Sequence, residues 1–216
     1  MVLKGLVVAA SVAVLAACGG GGSGPGLPGT SGPPSAQSIA SGSSDFSGLQ
    51  KCPESGSYDG YLKAEQTADP THYQADKKSW DDLKAGGAND SYVAVYAEST
   101  SDCGQFAAGS PTGKVAYVFV IRFKDTATAA ASYKASSKDF HLSDSDVANL
   151  TAAGATVNSG DATGLGANSI VVSIDIQGAA IYVGFWQNKQ FDVVEIAFND
   201  SSDAAAASKK INDRIK

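Results

Sequence analysis

Histidine is almost absent from this chain: its 216 residues hold only His72 and His141, beside 3 cysteines, 1 methionine and 2 tryptophans. So few imidazoles and thiols leave little material for zinc, haem or acid–base chemistry, which draws on clusters of such side chains. Neither histidine has a metal-ligand partner at helical or hairpin spacing. His72 stands by Pro70 at a helix start, and His141 lies in a polar connection among Lys138, Asp139 and Asp144, so both read as surface residues. Basic residues are scarce as well as scattered. With 16 Lys and Arg against 22 Asp and Glu, the net charge is −6. Phosphate neutralisation needs clustered cations, so nucleic acid is not an expected partner.

Long apolar runs are missing too. Gly5 to Leu15 is about a dozen residues long, whereas a spanning helix needs about 20. Behind Lys4, such a run has the length of a signal-peptide core. The residues that follow, Leu15-Ala16-Ala17-Cys18, resemble the lipobox of bacterial lipoproteins. That resemblance implies diacylglycerol on the Cys18 sulfur, cleavage between Ala17 and Cys18, and fatty acylation (palmitate, for instance) of the new amino group. It also implies a lipid-anchored location on the extracytoplasmic face of the cell membrane. Ordinary secretion, with cleavage at an A-x-A-like site and Cys18 incidental, is the alternative. Two acyl chains hold a protein where one binds reversibly. From Gly19 to about Ser47 the chain is mostly Gly, Ser and Pro, with little to bury, which predicts a disordered tether. About 30 such residues span roughly 30 Å. The expected organisation is a signal peptide over 1–17, the lipidated cysteine and tether over 18–47, and one globular domain over 48–216.

Assigning Cys18 to lipid leaves Cys52 and Cys103 as an even pair in an oxidising compartment, which favours a disulfide. Closing a loop of about fifty residues would stabilise the domain by a few kcal/mol, on the order of 4. A two-thiol metal or redox site is the alternative, against which stand the absence of CxxC spacing and of a nearby histidine.

Within the body, Val118 to Lys134 and Val193 to Lys209 look alike, Phe123 falling on Phe198 and Asp125 on Asp200. Each reads as an alternating strand, an Asp suited to capping, and an alanine-rich helix. Phe119, Ile121 and Phe123, with Val194, Ile196 and Phe198, form the expected core face. The opposite face, Val118-Val120-Arg122 and Val193-Glu195-Ala197, is mixed and expected to be partly solvated. Further strands are expected over Tyr92–Glu98, Ser169–Ile176 and Ala179–Trp186, the last two forming a meander with the final strand. A helix is expected near Pro70–Ala85, and another between Ser143 and Gly154. The fold class is therefore α+β: an antiparallel sheet with helices on one face and two related halves, a duplicated ferredoxin-like arrangement being the expected topology. The strand–Asp–helix ending, after Gly164-Leu165-Gly166, also resembles that of many small envelope lipoproteins, a likeness that carries no catalytic residue.

Recognisable catalytic constellations are lacking. No G-x-S-x-G elbow occurs, and Ser137-Lys138 and Ser208-Lys209 fail the geometry of nucleophile and base, reading instead as solvated helix surface. Gly164-Leu165-Gly166 lacks the third glycine of a dinucleotide fingerprint and reads as a turn. Asp139, Asp144 and Asp146 lack the glycine and terminal glutamate of a calcium loop. No metal site and no cofactor is expected. One binding hint stands out: Tyr182, Gly184 and Trp186 share strand parity and would line a shallow trough on one sheet face. The expected function is a non-enzymatic binding or interaction module of the envelope, with a protein, glycan or small ligand as partner. An envelope enzyme or a haem-handling protein is the alternative.

Overall fold

The computed structural model describes residues 33–215, apart from residues 43, 69, 106–112, 137–143 and 177. Its centre is a seven-stranded sheet of β1 (Gln50–Lys51), β2 (Ala88–Ala97), β3 (Val115–Phe123), β4 (Thr156–Ser159), β5 (Ser169–Ile176), β6 (Ala179–Asn188) and β7 (Phe191–Phe198). The strands run in the order β1-β2-β3-β7-β6-β5-β4, every neighbour antiparallel. The helices are α1 (Ala36–Ala40), α2 (Tyr58–Ala68), α3 (Pro70–Ala85), α4 (Thr126–Ser136), α5 (Asp144–Ala152) and α6 (Ser201–Asp213). Among the described residues, no helix is long and apolar enough to cross a membrane.

The α+β class and the β5–β6–β7 meander are as expected; the placement of the helices is not. They cover both faces. Phe123 and Phe198 project to the same side of the sheet, since Val115 pairs with Phe198 across the β3–β7 ladder. α4 packs on that side, where Tyr133 stacks on Phe185 at 4.7 Å. α6 follows β7 yet crosses to the other side, where Ala204, Ala207 and Ile211 are fully buried. The difference arises at the strand–helix junction. Asn199 takes a left-handed backbone, φ 59°, a conformation in which asparagine is enriched. Its side chain donates to the Gly113 carbonyl at 3.0 Å, and the chain leaves β7 in the opposite direction. The face expected to be partly solvated is consequently the drier one: Val118, Val120, Val193, Glu195 and Ala197 are all at 0% exposure. A duplicated ferredoxin-like arrangement is not what this strand order and two-sided covering describe.

Capping differs between the two copies as well. The Asp125 carboxylate accepts from the Thr128 backbone N–H at 2.7 Å, a cap of the expected kind. Asp200 makes no such bond and instead pairs with Lys114 at 3.0 Å.

The domain begins earlier than expected. Residues 35–42 and 44–46, assigned above to the tether, fold onto the sheet, and Ala36, Ile39, Ala40 and Phe46 are buried there. A five-residue helix needs its ends satisfied to persist. Here the Ser35 hydroxyl accepts from the Ser38 N–H at 3.1 Å, and the Asp90 carboxylate accepts from the Ala36 N–H at 2.8 Å. At the other end the Tyr96 hydroxyl donates to the Ala40 carbonyl at 3.0 Å, while Phe46 lies against the Tyr96 ring at 5.0 Å. Arg214, just beyond α6, donates through Nε to the Ile39 carbonyl at 2.9 Å and forks onto both oxygens of Asp45. Gly42 makes room for that fork, since a Cβ there would sit 2.3 Å from Asp45 Oδ1. The first and last parts of the folded chain are thus fastened together.

Candidate functional site

Tyr182, Gly184 and Trp186 do share one sheet face, but that face lies beneath α6. Tyr182 is 2% and Trp186 0% exposed, so the trough read from the sequence is core and no ligand reaches it. The physical reason is the crossing of α6, which sets its own small residues over these rings. Gly184 is the space that the rings occupy: a Cβ there would lie 3.3 Å from Tyr182 and 3.4 Å from Trp186. Ser208, expected on solvated helix surface, is also buried here. Its hydroxyl donates to Glu195 Oε2 at 2.6 Å and meets the Tyr182 hydroxyl at 2.7 Å. Complete burial raises the Glu195 carboxyl well above its ordinary range, against which the Ser208 hydrogen bond acts. Burial likewise raises the Tyr182 hydroxyl.

An accessible concavity lies on the opposite side, between α3 and α4. β2 begins where β3 ends, Ala88 opposite Phe123. The helices joined to those ends therefore flank a common groove, and the Lys124 N–H to Gly87 carbonyl bond at 3.0 Å ties its base. The groove encloses about 900 Å³, with Leu83 and Phe123 at its apolar part. From α3 come Ser79, Asp82 and Leu83, which recur three to four residues apart on one helix face. From α4 come Thr128, Ala131 and Ser132, whose short side chains leave the space open. The carboxylates on its walls are already engaged. Asp82 pairs with Lys78 at 2.6 Å, and Asp125 caps α4. What remains toward the groove is mostly hydroxyl and methyl, with Lys124 also lining it.

Behind the α4 wall lies a second buried carboxyl. Asp192 is 3% exposed and hydrogen-bonded by Ser132, a residue of the groove. Burial pushes its pKa up to about 7, against which the Ser132 bond acts. The neighbouring Tyr133 hydroxyl is raised to about 12, first by its own burial and then by the Asp192 charge. Asp192 carried no motif and went unnoticed in the sequence; its one signal was an acidic residue at an inward parity of β7.

Cys52 and Cys103 form the expected disulfide, with Cα atoms 5.6 Å apart. Glu54 lies beside it, and its carboxylate and both sulfurs fall within 4.8 Å of one another. Cys18 and His141 lie outside the described residues. His72 falls within α3. Asp144 and Asp146 sit in the first turn of α5, as capping predicts.

No protein-family model and no curated protein matches the sequence. Among solved structures, the chain is similar to the extracellular domain of PknH from Mycobacterium tuberculosis. The identity is 14% and the TM-score 0.41, over 62% of this chain and 69% of that one.

Proposed function

We propose that this chain is a lipid-tethered, extracytoplasmic binding module of the cell envelope that takes its ligand in the groove between α3 and α4. The observation that carries the reading is cysteine arithmetic. Cys52 and Cys103 are bonded to each other, which leaves Cys18, at the end of a short apolar run and two alanines, as the sulfur for lipid. The ligand reading rests on the groove, whose carboxylates are internally compensated and whose remaining lining is hydroxyl and methyl. Such a surface suits a hydroxyl-rich ligand, a glycan segment above all, with Lys124 as an additional donor.

Membrane fractionation tests the tether. The unaltered chain is expected in the membrane fraction, and Cys18→Ser is expected to be soluble with an unchanged circular dichroism spectrum. A Cys18→Ser chain that still sediments with membranes would remove the anchor from the account. Photocrosslinking in the intact envelope tests the groove. A crosslinker at Ala131, exposed on the groove wall, is expected to capture glycan, whereas one at Ala205, exposed on α6, is not. Equal yields from the two positions would sink the groove as the binding face.

A further inference from the structure

The disulfide and Glu54 form a cluster that the binding reading leaves unused. Glu54 sits on the turn Cys52–Ser55, where the Ser55 N–H meets the Cys52 carbonyl at 3.1 Å. That turn is pinned on both sides to β2. Before it, the Cys52 N–H donates to the Val95 carbonyl at 2.7 Å; after it, Gly56 and Val93 exchange bonds of 2.9 and 2.8 Å. The Ser55 hydroxyl adds a bond from the Val95 N–H at 3.0 Å. None of these contacts involves a sulfur, so opening the S–S bond does not itself break them. Cys103 is delivered from the other side by a short 3-10 helix, Thr100–Gln105, in which the Asp102 N–H donates to the Ser99 carbonyl at 3.0 Å.

Glu54 itself is the unexplained part. Its Oε1 is buried and has no hydrogen-bond partner among the described residues. Burial raises its carboxyl above the ordinary value, only partly offset by a backbone hydrogen bond. A buried acceptor without a donor is a cost that native structures usually remove with a water or an ion. Tetrahedral zinc with thiolate and carboxylate ligands needs sulfurs about 3.8 Å apart and each about 3.6 Å from the carboxylate oxygen. The three ligand atoms already fall within 4.8 Å of one another, and a 5.6 Å Cα separation lets the two sulfurs part while the backbone stays in place.

We propose that Cys52, Cys103 and Glu54 form a redox-gated site for a borderline-soft divalent cation such as zinc, closed by the disulfide and opened by its reduction. A dithiol supplies two electrons and two protons to the S–S bond and leaves as its own disulfide. The cation then displaces both thiol protons, Glu54 binds through its carboxylate, and a water takes the fourth position. Metal binding replaces the covalent link by a coordinate one, so the reduced domain keeps its β1–β2 corner fastened.

The test uses the full chain carrying Cys18→Ser, so that no third thiol contributes. Oxidised protein is expected to bind no Co²⁺. After reduction and anaerobic removal of the dithiol, one equivalent is expected to bind, with the absorption of tetrahedral thiolate-bound cobalt. Zinc should displace it. Glu54→Gln keeps the disulfide and the fold and is expected to weaken binding at least about tenfold, the cost of losing even an outer-shell partner. Three results would each overturn the proposal. Reduced protein could bind no cobalt, Glu54→Gln could bind as tightly as the parent, or far-UV circular dichroism could show that reduction unfolds the chain before metal is added.

Discussion

Replacing Asp192 with asparagine will stabilise the protein near neutral pH and change it little at about pH 4. Asp192 is 3% exposed, its Oδ1 has no partner among the described residues, and burial pushes its pKa to about 7. In the unfolded chain the same carboxyl titrates near its model value of 3.8. Between those values the native state holds a proton that the unfolded state has released. Stability therefore falls as pH rises through that window, at about 1.4 kcal/mol per pH unit for the fully differential group. Across the window the loss is on the order of 4 kcal/mol. Asparagine keeps the carbonyl acceptor for Ser132 and cannot ionise, so the variant escapes the loss.

Urea denaturation at about pH 4 and at about pH 7.5 measures this directly. The two proteins should have similar midpoints at the lower pH, and Asp192→Asn should have the higher one at neutral pH. Equal midpoints at both pH values would show that Asp192 is not held neutral by its burial. Glu195 acts in the same direction, since its folded value is also raised by burial, so the variant retains part of the parent's decline above about pH 4.5.

Much of this architecture is legible from residue order. The alternation Phe119-Ile121-Phe123 gives β3, Pro70 marks the start of α3, and Gly178 sits at the β5–β6 turn, because period and turn chemistry act over a few neighbours. The pair Cys52 and Cys103 is legible from counting. The covering of the sheet is not. Val118-Val120-Arg122 and Val193-Glu195-Ala197 carry polar residues and suggest solvent. Whether Glu195 meets water depends on Ser208 arriving from α6, a contact set by the left-handed turn at Asn199. The expected trough fails for the same reason: parity correctly unites Tyr182, Gly184 and Trp186, but says nothing about which face a later helix takes. The groove is invisible for another reason. Its α4 wall is largely alanine, serine and threonine whose importance is the volume they leave empty, and α3 and α4 flank it because β2 begins where β3 ends. Residues 35–46 look like tether by composition. Their order comes from partners far along the chain, Asp90, Tyr96 and Arg214.

Arg214 gives the sharpest test of that last point. Its guanidinium reaches Asp45 Oδ1 at 2.7 Å and Oδ2 at 2.6 Å, with Asp45 1% and Arg214 28% exposed at the side chain. Bidentate pairs of this kind are stronger than neutral hydrogen bonds. Removing one partner strands the other, and a buried carboxylate left, among the described residues, with the Gly42 N–H is costly. Arg214→Leu is expected to destabilise by about 3 kcal/mol, at the low end for a buried pair because the arginine is partly wet. For a chain of this size that lowers Tm by roughly 6–12 °C. It also frees the Ile39 carbonyl, so limited proteolysis should cut within residues 36–46 before the sheet is touched. Asp45→Asn in the Arg214→Leu background removes the stranded charge and should recover part of the loss, a coupling that a double-mutant cycle reads. If Arg214→Leu costs less than about 1 kcal/mol, or the second substitution recovers nothing, the pair is ornamental. The N-terminal segment is then held by its buried side chains and by its bonds to Asp90 and Tyr96, and the junction where a tether would meet the domain is looser than the fork at Arg214 describes.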